Sequence, residues 1–180
     1  MTPKEKRDRL FKSGRPLIRP LQIYDGEKYH KDIGILWVAY SKEPFYSFPE
    51  GLSKTEFVDS IKEMVETREV VMVDDMNPEY KESGPIAMIT VQTDGWKIEP
   101  HTAIFPWATN RNKLRGAVSF FQMARYKKIG VCVIYSLQQS KALFDKCMEY
   151  GVLHYVGKIV NGDPRGDEYV YSVRGKRNVG

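Results

Sequence analysis

Between a segment with the pattern of a strand and a segment with the pattern of a helix lies the stretch Arg111-Asn112-Lys113-Leu114-Arg115-Gly116-Ala117. The upstream segment, residues 98–105, reads as extended and is stopped by Pro106. A basic turn that opens a helix leaves backbone N–H groups unpaired, and these groups together with the helix dipole attract an anion. The stretch therefore predicts a phosphate or pyrophosphate site, with its three cationic side chains around the anion and Gly116 allowing close approach. The helix after it is indicated by apolar residues at helical spacing, namely Leu114, Ala117, Val118, Phe121 and Ala124.

The rest of the chain predicts strands and helices in the order β, α, α, three β, α, β, α, β, β. Ser53-Lys54-Thr55-Glu56 and Ser136-Leu137-Gln138-Gln139 read as capping boxes that begin helices, and Gly151 reads as a helix end. Strands are predicted over residues 17–24, 69–73, 85–92, 98–105, 131–135, 152–160 and 168–173. Helices are predicted over residues 29–40, from Ser53, after the basic stretch and over 138–150, with turns at Thr93-Asp94-Gly95 and at 161–166.

Length and charge predict one domain with a basic extension. The 180 residues suffice for a single domain with a substantial core. Residues 1–19 hold seven of the 28 basic and two of the 23 acidic residues, so the whole formal charge of +5 lies there. We expect residues 1–19 to form a flexible basic arm and residues 20–180 to form the domain. Such an arm suits nucleic acid or an acidic partner surface, or is a solvated tail, and it lacks the interleaved aromatic residues of a base-stacking surface.

The cysteines and the apolar runs bear on the compartment. Cys132 and Cys147 fall in apolar runs, without a secretory leader, which indicates reduced thiols in a reducing compartment. No apolar run has the ~20 residues of a membrane span. The three histidines are scattered and the two cysteines are far apart, so we expect no metal site. These observations predict a soluble cytoplasmic protein, or a component of a particle assembled inside a cell.

The basic stretch resembles the pyrophosphate loop Arg/Gln-x-x-Gly-x-Gly/Ala of the GNAT (Gcn5-related N-acetyltransferase) superfamily. Arg111 and Gly116 match the first and last positions, and Leu114 replaces a glycine. The predicted order of elements is also that of the family. The resemblance implies a GNAT-like α/β (α+β) fold, with a central mixed, largely antiparallel sheet whose two central parallel strands splay apart and which helices flank. Residues 105–112 further resemble a branch of GNAT-like proteins encoded by tailed bacteriophages.

The resemblance implies acetyl-CoA as the co-substrate. The cofactor arm would pair with the strand before the loop, where one backbone N–H would bind the thioester carbonyl and stabilise the tetrahedral intermediate. The implied cofactor-binding residues are Ala103, Ile104, Phe105, Arg111, Asn112, Lys113, Leu114, Arg115, Gly116 and Ala117. Leu114 is expected to push the pyrophosphate outward, because glycine permits the closest approach.

The resemblance also implies an acid and a base. In the histone acetyltransferase branch a glutamate on this strand acts as base, ten positions before the loop's first conserved residue. That position here is His101, and Glu99 on the same strand face is the reserve. Both residues are alternatively ordinary polar groups near a strand end. The family's tyrosine acid, four residues before the helix-ending glycine, corresponds to Cys147, which is alternatively plain core. Tyr150 and Tyr135 are alternatives for the acid that their positions do not support, so the acid is left unassigned.

Two functions follow from these predictions. The first is an N-acetyltransferase that moves an acetyl group to an amine acceptor, either a small molecule or a protein lysine. The loop with Phe45, Tyr46 and Phe48 would line the acceptor pocket, and the acidic loop 74–84 would favour a cationic amine if it reaches the cleft. The second is an inactive GNAT-like phage virion or interaction protein that docks through its basic arm. Nucleic-acid binding through the arm is a third alternative, and we expect no membrane partner.

Overall fold

The computed structural model describes residues 1–75, 84–94, 97–126 and 131–174. Its helices are α1 (Pro3–Leu10), α2 (Lys31–Lys42), α3 (Lys54–Thr67), α4 (Asn110–Tyr126) and α5 (Gln138–Glu149). Its strands are β1 (Leu17–Pro20), β2 (Tyr24–Asp25), β3 (Lys28–Tyr29), β4 (Glu69–Asp75), β5 (Gly84–Asp94), β6 (Lys97–Ile104), β7 (Val131–Leu137), β8 (His154–Asp163) and β9 (Gly166–Arg174).

Within the described residues, seven strands form one sheet in the order β1-β4-β5-β6-β7-β9-β8, and β2 and β3 form a separate hairpin. Neighbours in the large sheet run antiparallel except β6 and β7, which run parallel. This sheet confirms the predicted mixed, largely antiparallel architecture with a central parallel pair. The hairpin and α1 are additions to the predicted order of elements.

The parallel pair separates soon after it begins. Lys97 pairs with Val131 and Ile98 pairs with Cys132, and the register between β6 and β7 stops there. From that point β6 follows β5 to its end, while β7 follows β9. The two central strands therefore splay apart at their carboxyl ends, as predicted, and leave a cleft between them.

Strand β4 shows how the sheet separates two apolar layers. Its side chains alternate: Val71 and Val73 pack with the cluster that includes residues of α4 and α5, while Val70 and Met72 pack with the cluster that includes α2 and α3. This period of two is the expected consequence of the pleat, because successive side chains point to opposite faces. The sheet is thus covered on both faces, with α4 beneath the cleft.

The N-terminal segment differs from the predicted flexible arm. Arg7 of α1 donates a hydrogen bond to the backbone carbonyl of Tyr150 at the end of α5. Phe11, which follows α1, is buried in the apolar cluster next to α4. Strand β1 then pairs antiparallel with β4. Residues 1–19 are therefore held against the rest of the protein, because Phe11 and the backbone of β1 find partners there.

Helix α4 begins one turn earlier than the sequence pattern suggests. The Thr109 hydroxyl accepts a hydrogen bond from the backbone N–H of Asn112, and the Asn112 side chain accepts one from the Thr109 N–H. This reciprocal cap satisfies N–H groups at the helix start. The basic stretch 111–117 therefore lies inside the helix, and its first turn rather than a preceding loop carries Arg111.

Two other boundaries bear on the predictions. The capping box at Ser53 is confirmed, with Glu56 as its partner. Ser136 instead lies inside β7, opposite Tyr169 of β9.

Some predictions lie outside what the structure describes. They are the turn at Gly95, most of the acidic loop 74–84, the side chain of Cys132 and the basic end of the α4 region at 127–128. In the described part of the chain, no helix is both long and apolar enough to cross a membrane.

Candidate functional site

A pocket of about 250 Å³ fills the cleft between β6 and β7. Its walls are residues 100–104 of β6, residues 134–136 at β7, and the face of α4 that carries Gly116 and Ala117. Phe45 and Tyr46 from the loop between α2 and α3 close one side. The splay of the two parallel strands thus creates an open site at the position where the sequence predicted the cofactor cleft.

The backbone of β6 presents alternate residues to this pocket. Phe105 donates its backbone N–H to Ile86 on the β5 side, at 2.9 Å. In an antiparallel ladder the bonding residues alternate, so the N–H groups of Thr102 and Ile104 point away from β5 and toward β7. Pro100 lies on the same side, where its missing N–H removes no bond to β5. The edge of β6 that faces the cleft therefore offers backbone N–H groups.

The two predicted base candidates share one sheet face but not one environment. Thr90 lies opposite His101, and residues two apart on a strand point the same way. His101 is exposed and lines the pocket, whereas Glu99 is half-buried and is not among the described lining residues. The pocket therefore contains the imidazole and not the carboxylate.

The predicted cofactor residues of β6 also differ in their surroundings: two line the pocket, and the third has its side chain in the core. Ala103 and Ile104 line the pocket. Phe105 is 1% exposed and stacks on Phe45, with ring centroids 6.0 Å apart and planes 18° apart. Its side chain belongs to the core next to α2 and α3, and only its backbone stands near the cleft.

The basic stretch of α4 separates into two sets by helical phase. Lys113, Gly116 and Ala117 line the pocket. Asn112 and Arg115 turn toward Asp75 at the end of β4: the Asn112 amide donates to Oδ2 at 2.8 Å, and the Arg115 Nε donates to the same oxygen at 3.0 Å. The start of α4 at Asn110 sets the helical phase, and the phase decides which of these residues face the sheet and which face the cleft.

Arg115 is a buried structural cation rather than a surface ligand. Its side chain is fully buried, as is that of Asp75. Its remaining donors reach the backbone carbonyls of Leu10 and Gly14, the latter at 2.8 Å. Every side of this guanidinium is thus engaged by the protein, so Arg115 is not available to a phosphate in this arrangement.

Two further predicted residues lie away from the cleft. Arg111 is exposed and lines a second pocket with residues of α1 and with the end of α5. Leu114 is half-buried and packs against the apolar cluster of α4 and α5. Leu114 therefore does not project into the space in front of the helix, where the sequence predicted that it would displace a ligand.

Cys147 lies in the core. Its thiol is fully buried, and burial raises its pKa to about 12. It is not among the residues that line the pocket, and neither is Tyr150. A buried thiol that does not line the cleft is not placed to protonate a thiolate formed there, so we do not retain Cys147 as the acid. Tyr135, whose side chain is 40% exposed, does line the pocket.

Sequence reasoning missed one contact at the pocket mouth. The Arg165 guanidinium lies 3.4 Å from the centroid of the Tyr46 ring, and both residues line the pocket. Arg165 comes from the turn between β8 and β9, which the sequence marked only as a turn. No signal in the sequence pairs these two loops, because they are distant in sequence and meet only in the folded structure. Among the described residues, no group of three or more His, Cys, Asp or Glu side chains could hold a metal ion.

Comparisons with known proteins agree on one architecture. No protein-family model matches this chain, and no curated protein matches it. An acetyltransferase of the GNAT family from Bacillus anthracis has a similar structure, with a TM-score of 0.63, 15% identity, and coverage of 91% of this chain and 97% of that one.

Two similar structures contain a cofactor. Spermidine N-acetyltransferase from Vibrio cholerae, in complex with CoA and spermine, gives a TM-score of 0.62 at 10% identity, over 89% of this chain and 95% of that one. Phosphinothricin acetyltransferase from Sinorhizobium meliloti, in complex with acetyl-CoA, gives 0.58 at 11% identity, over 89% of each chain. At such identities the likeness establishes the fold, and that fold is the fold of the GNAT acetyltransferases.

Proposed function

We propose that this protein is an N-acetyltransferase that moves an acetyl group from acetyl-CoA to an amine. The observation that carries the proposal is the pocket between the splayed strands β6 and β7, with the backbone edge of β6 on one side and α4 beneath it. The solved relatives of this fold that contain CoA or acetyl-CoA support the same co-substrate.

Strand β6 would hold and activate the thioester. The pantetheine arm would pair with the backbone edge that faces β7, where the N–H groups of Thr102 and Ile104 point. We assign the Ile104 N–H as donor to the thioester carbonyl. A donor fixed before the reaction stabilises the negative charge that develops on this oxygen in the tetrahedral intermediate.

His101 would remove a proton from the attacking amine. Its side chain shares the sheet face of Ala103 and Phe105, which is the face covered by α2, α3 and the Tyr46 loop. Histidine is the side chain that most often serves as a general base in proton transfer. The amine would thus approach from the Tyr46 side, and the thioester would lie between it and β7. Tyr135 is the phenol that we assign as proton donor to the departing thiolate.

The start of α4 would bind the pyrophosphate. The positive end of its dipole favours an anion, and Lys113 stands at the pocket wall. Arg111 in the first turn would add charge from the outer side. In this proposal Asn112 and Arg115 bind no ligand and instead hold α4 against Asp75.

Isothermal titration of acetyl-CoA tests the cofactor site. We expect binding to the wild-type protein and a loss of affinity of about tenfold or more in an Arg111→Ala, Lys113→Ala double variant, because each lost charge removes a charge-assisted hydrogen bond. Lys54→Ala, at an exposed lysine that opens α3, is the matched control and should bind normally. Absence of acetyl-CoA binding to the wild type at millimolar ligand would refute the proposal.

Steady-state kinetics test the base. We expect His101→Ala to lower kcat by roughly a hundredfold or more while acetyl-CoA binding is retained, which is the usual contribution of a positioned general base. An unchanged kcat would remove His101 from the mechanism and leave the cofactor site intact.

A non-catalytic protein with the same fold is the second candidate. The burial of Cys147, where the family resemblance expects an acid, favours it. In that case the titration would show no acetyl-CoA binding, and the protein would act through a partner. A phage origin, a virion partner, a cytoplasmic location and nucleic-acid binding stay predictions from the sequence.

A further inference from the structure

We infer that the acceptor carries a carboxylate next to its amine, and that Arg165, held by Tyr46, recognises this carboxylate. The inference rests on the proposed function, because it names the second substrate of the same pocket. It is carried by the contact between two loops that are distant in sequence and meet at the pocket mouth.

Arg165 is held in place from two sides. Its Nε and Nη2 donate to the Asp163 carboxylate at 2.6 and 2.9 Å. Its planar face covers the Tyr46 ring at 3.4 Å, a cation–π contact that orients the guanidinium. The Nη1 donors make no hydrogen bond to any described residue. A guanidinium held in this way can accept a planar anion without first losing side-chain freedom.

Both charged side chains among the described residues that line the pocket are cationic. Of the described residues that line it, the charged side chains are Lys113 near the start of α4 and Arg165 at the Tyr46 side. Lys113 would be matched by the cofactor phosphates. Arg165 lies on the acceptor side, where the cofactor phosphates do not reach in the proposed orientation. Asp163 offsets part of its charge, but among these two residues only Arg165 lines the pocket.

The two described aspartates of the acidic loop 74–84 bind arginine side chains outside the pocket. Asp74 accepts a hydrogen bond from Arg19 at 2.6 Å, and Asp75 binds Arg115. Neither lines the pocket. A polyamine such as spermidine would bring a second positive charge toward Arg165, and like charges repel. The acceptor side of the pocket therefore suits an amino acid-like molecule and disfavours a polyamine.

The test compares three acceptors that differ in charge: β-alanine, β-alaninamide and spermidine. Their binding is measured by isothermal titration, both to the free protein and to the protein saturated with CoA, so that the result does not require turnover. We expect β-alanine to bind roughly tenfold to a hundredfold more tightly than its amide, the range for one charge-assisted hydrogen bond. Spermidine should bind more weakly than either.

Two variants test whether the preference for β-alanine over β-alaninamide depends on Arg165. Arg165→Gln should bring the ratio of β-alanine to β-alaninamide affinity to about one or below, because the cation is lost and the Asp163 carboxylate is left without its partner. Lys158→Gln is the matched control: Lys158 is an exposed cation of the same hairpin, paired with Asp167, and does not line the pocket. This variant should keep the wild-type ratio.

The outcomes separate the two proposals. Three results overturn the inference that the acceptor carries a carboxylate. They are equal affinity for β-alanine and β-alaninamide, tighter binding of spermidine than of β-alanine, and no binding of any of the three compounds. Acetyl-CoA binding is scored separately, so its presence keeps the acetyltransferase proposal even when the acceptor inference fails. A preference for β-alanine that survives Arg165→Gln also overturns the assignment.

Discussion

Arg115 and Lys113 look alike in the sequence and have opposite surroundings in the structure. Arg115 is fully buried against Asp75, whereas Lys113 is half-buried and lines the pocket. Removing one member of a buried ion pair leaves the other charge without a partner and costs about 3–5 kcal/mol. We expect Arg115→Ala to lower the free energy of unfolding in urea by this amount. Lys113→Ala should change it by less than about 0.5 kcal/mol and reduce acetyl-CoA affinity instead.

Equal stability of the two variants would show that Arg115 is not structural. The contrast also marks the limit of the sequence prediction at this scale. The basic stretch identified the right helix, but three cations at positions 111, 113 and 115 gave no sign of which one faces inward. That depends on the helix phase, and the phase depends on the cap formed by Thr109 and Asn112, a pattern that is present in the sequence as Thr-x-x-Asn.

A second buried carboxylate predicts a pH dependence. Asp32 is fully buried, and burial by itself raises the pKa of its carboxyl group. Hydrogen bonds from Arg19 and from the Gln22 N–H outweigh burial, so the pKa of Asp32 is lowered overall. A carboxyl whose pKa is lowered by folding stabilises the protein above its unfolded pKa of about 3.9, and this contribution is lost as the pH falls below it. We expect Asp32→Asn to be less stable than the wild type at neutral pH.

The stability difference between the wild type and Asp32→Asn should shrink toward about pH 3, as the wild type loses the charge that the variant never had. Urea unfolding at both pH values measures this. Asp59→Asn is the control, because Asp59 forms an exposed pair with Lys62 and should show little difference at either pH. A constant difference between wild type and Asp32→Asn across the range would contradict the assigned cause.

At the scale of elements, the approach of α4 to the sheet depends on Gly116. A Cβ at this position would lie 3.1 Å from Cδ1 of Ile86 and 3.2 Å from Cγ1 of Val73, so the neighbours would have to move. Gly34 in α2 has nothing within 4 Å of such a Cβ. We expect Gly34→Ala to stabilise the protein by about 0.4–1 kcal/mol, the gain from reduced chain entropy and better helix propensity.

The same substitution at Gly116 should yield no such gain, because crowding against β4 and β5 offsets it, and Gly116→Val should destabilise by about 1–3 kcal/mol. Thermal or urea unfolding of the three variants measures the ordering. If Gly116→Ala stabilises as much as Gly34→Ala, the close packing of α4 on the sheet is not a constraint. The sequence interpretation gave Gly116 only a role next to a ligand, whereas its position inside the helix gives it a packing role.

Most strands and the central helices were predictable because their apolar residues repeat with a clear period. The cap at Ser53 and the end at Gly151, which has a positive φ of 66°, were confirmed for the same local reasons. Helix α1 was missed because it has no buried residue, and so no apolar stripe. Its local signal was the capping box of Thr2 and Glu5 with a proline at the first helical position. The pairing of Tyr46 with Arg165 had no local signal at all.

At the scale of the whole molecule, the N-terminal segment connects elements that the sheet alone would leave apart. Lys6 pairs with Glu149 on α5, the carbonyls of Leu10 and Gly14 bind Arg115 on α4, and β1 extends the sheet beside β4. The helix that carries the proposed pyrophosphate site is thus held partly by residues that composition alone marked as a solvated arm. Removal of this segment is therefore not a neutral test of a docking function, because it also alters the support of α4.

Two truncations separate these roles. Removal of residues 1–9 deletes the exposed pair of Lys6 with Glu149 and the contact of Arg7 with Tyr150, and should cost about 1 kcal/mol of unfolding free energy. Removal of residues 1–14 also deletes Phe11 from the core and leaves the Arg115 guanidinium without its two carbonyl partners. We expect this longer truncation to cost at least about 3 kcal/mol, because it adds the loss of a buried aromatic side chain to an under-paired buried cation.

Urea unfolding and acetyl-CoA titration of both truncated proteins measure the outcome. The shorter one should keep the wild-type affinity, whereas the longer one should lose affinity together with stability, since α4 loses the contacts that position its first turn. If the two truncations are equally stable, residues 10–14 do not support the helix. If the longer one is destabilised but binds acetyl-CoA normally, the placement of α4 rests on Asp75 and the sheet alone, and the N-terminal segment is free to serve a partner.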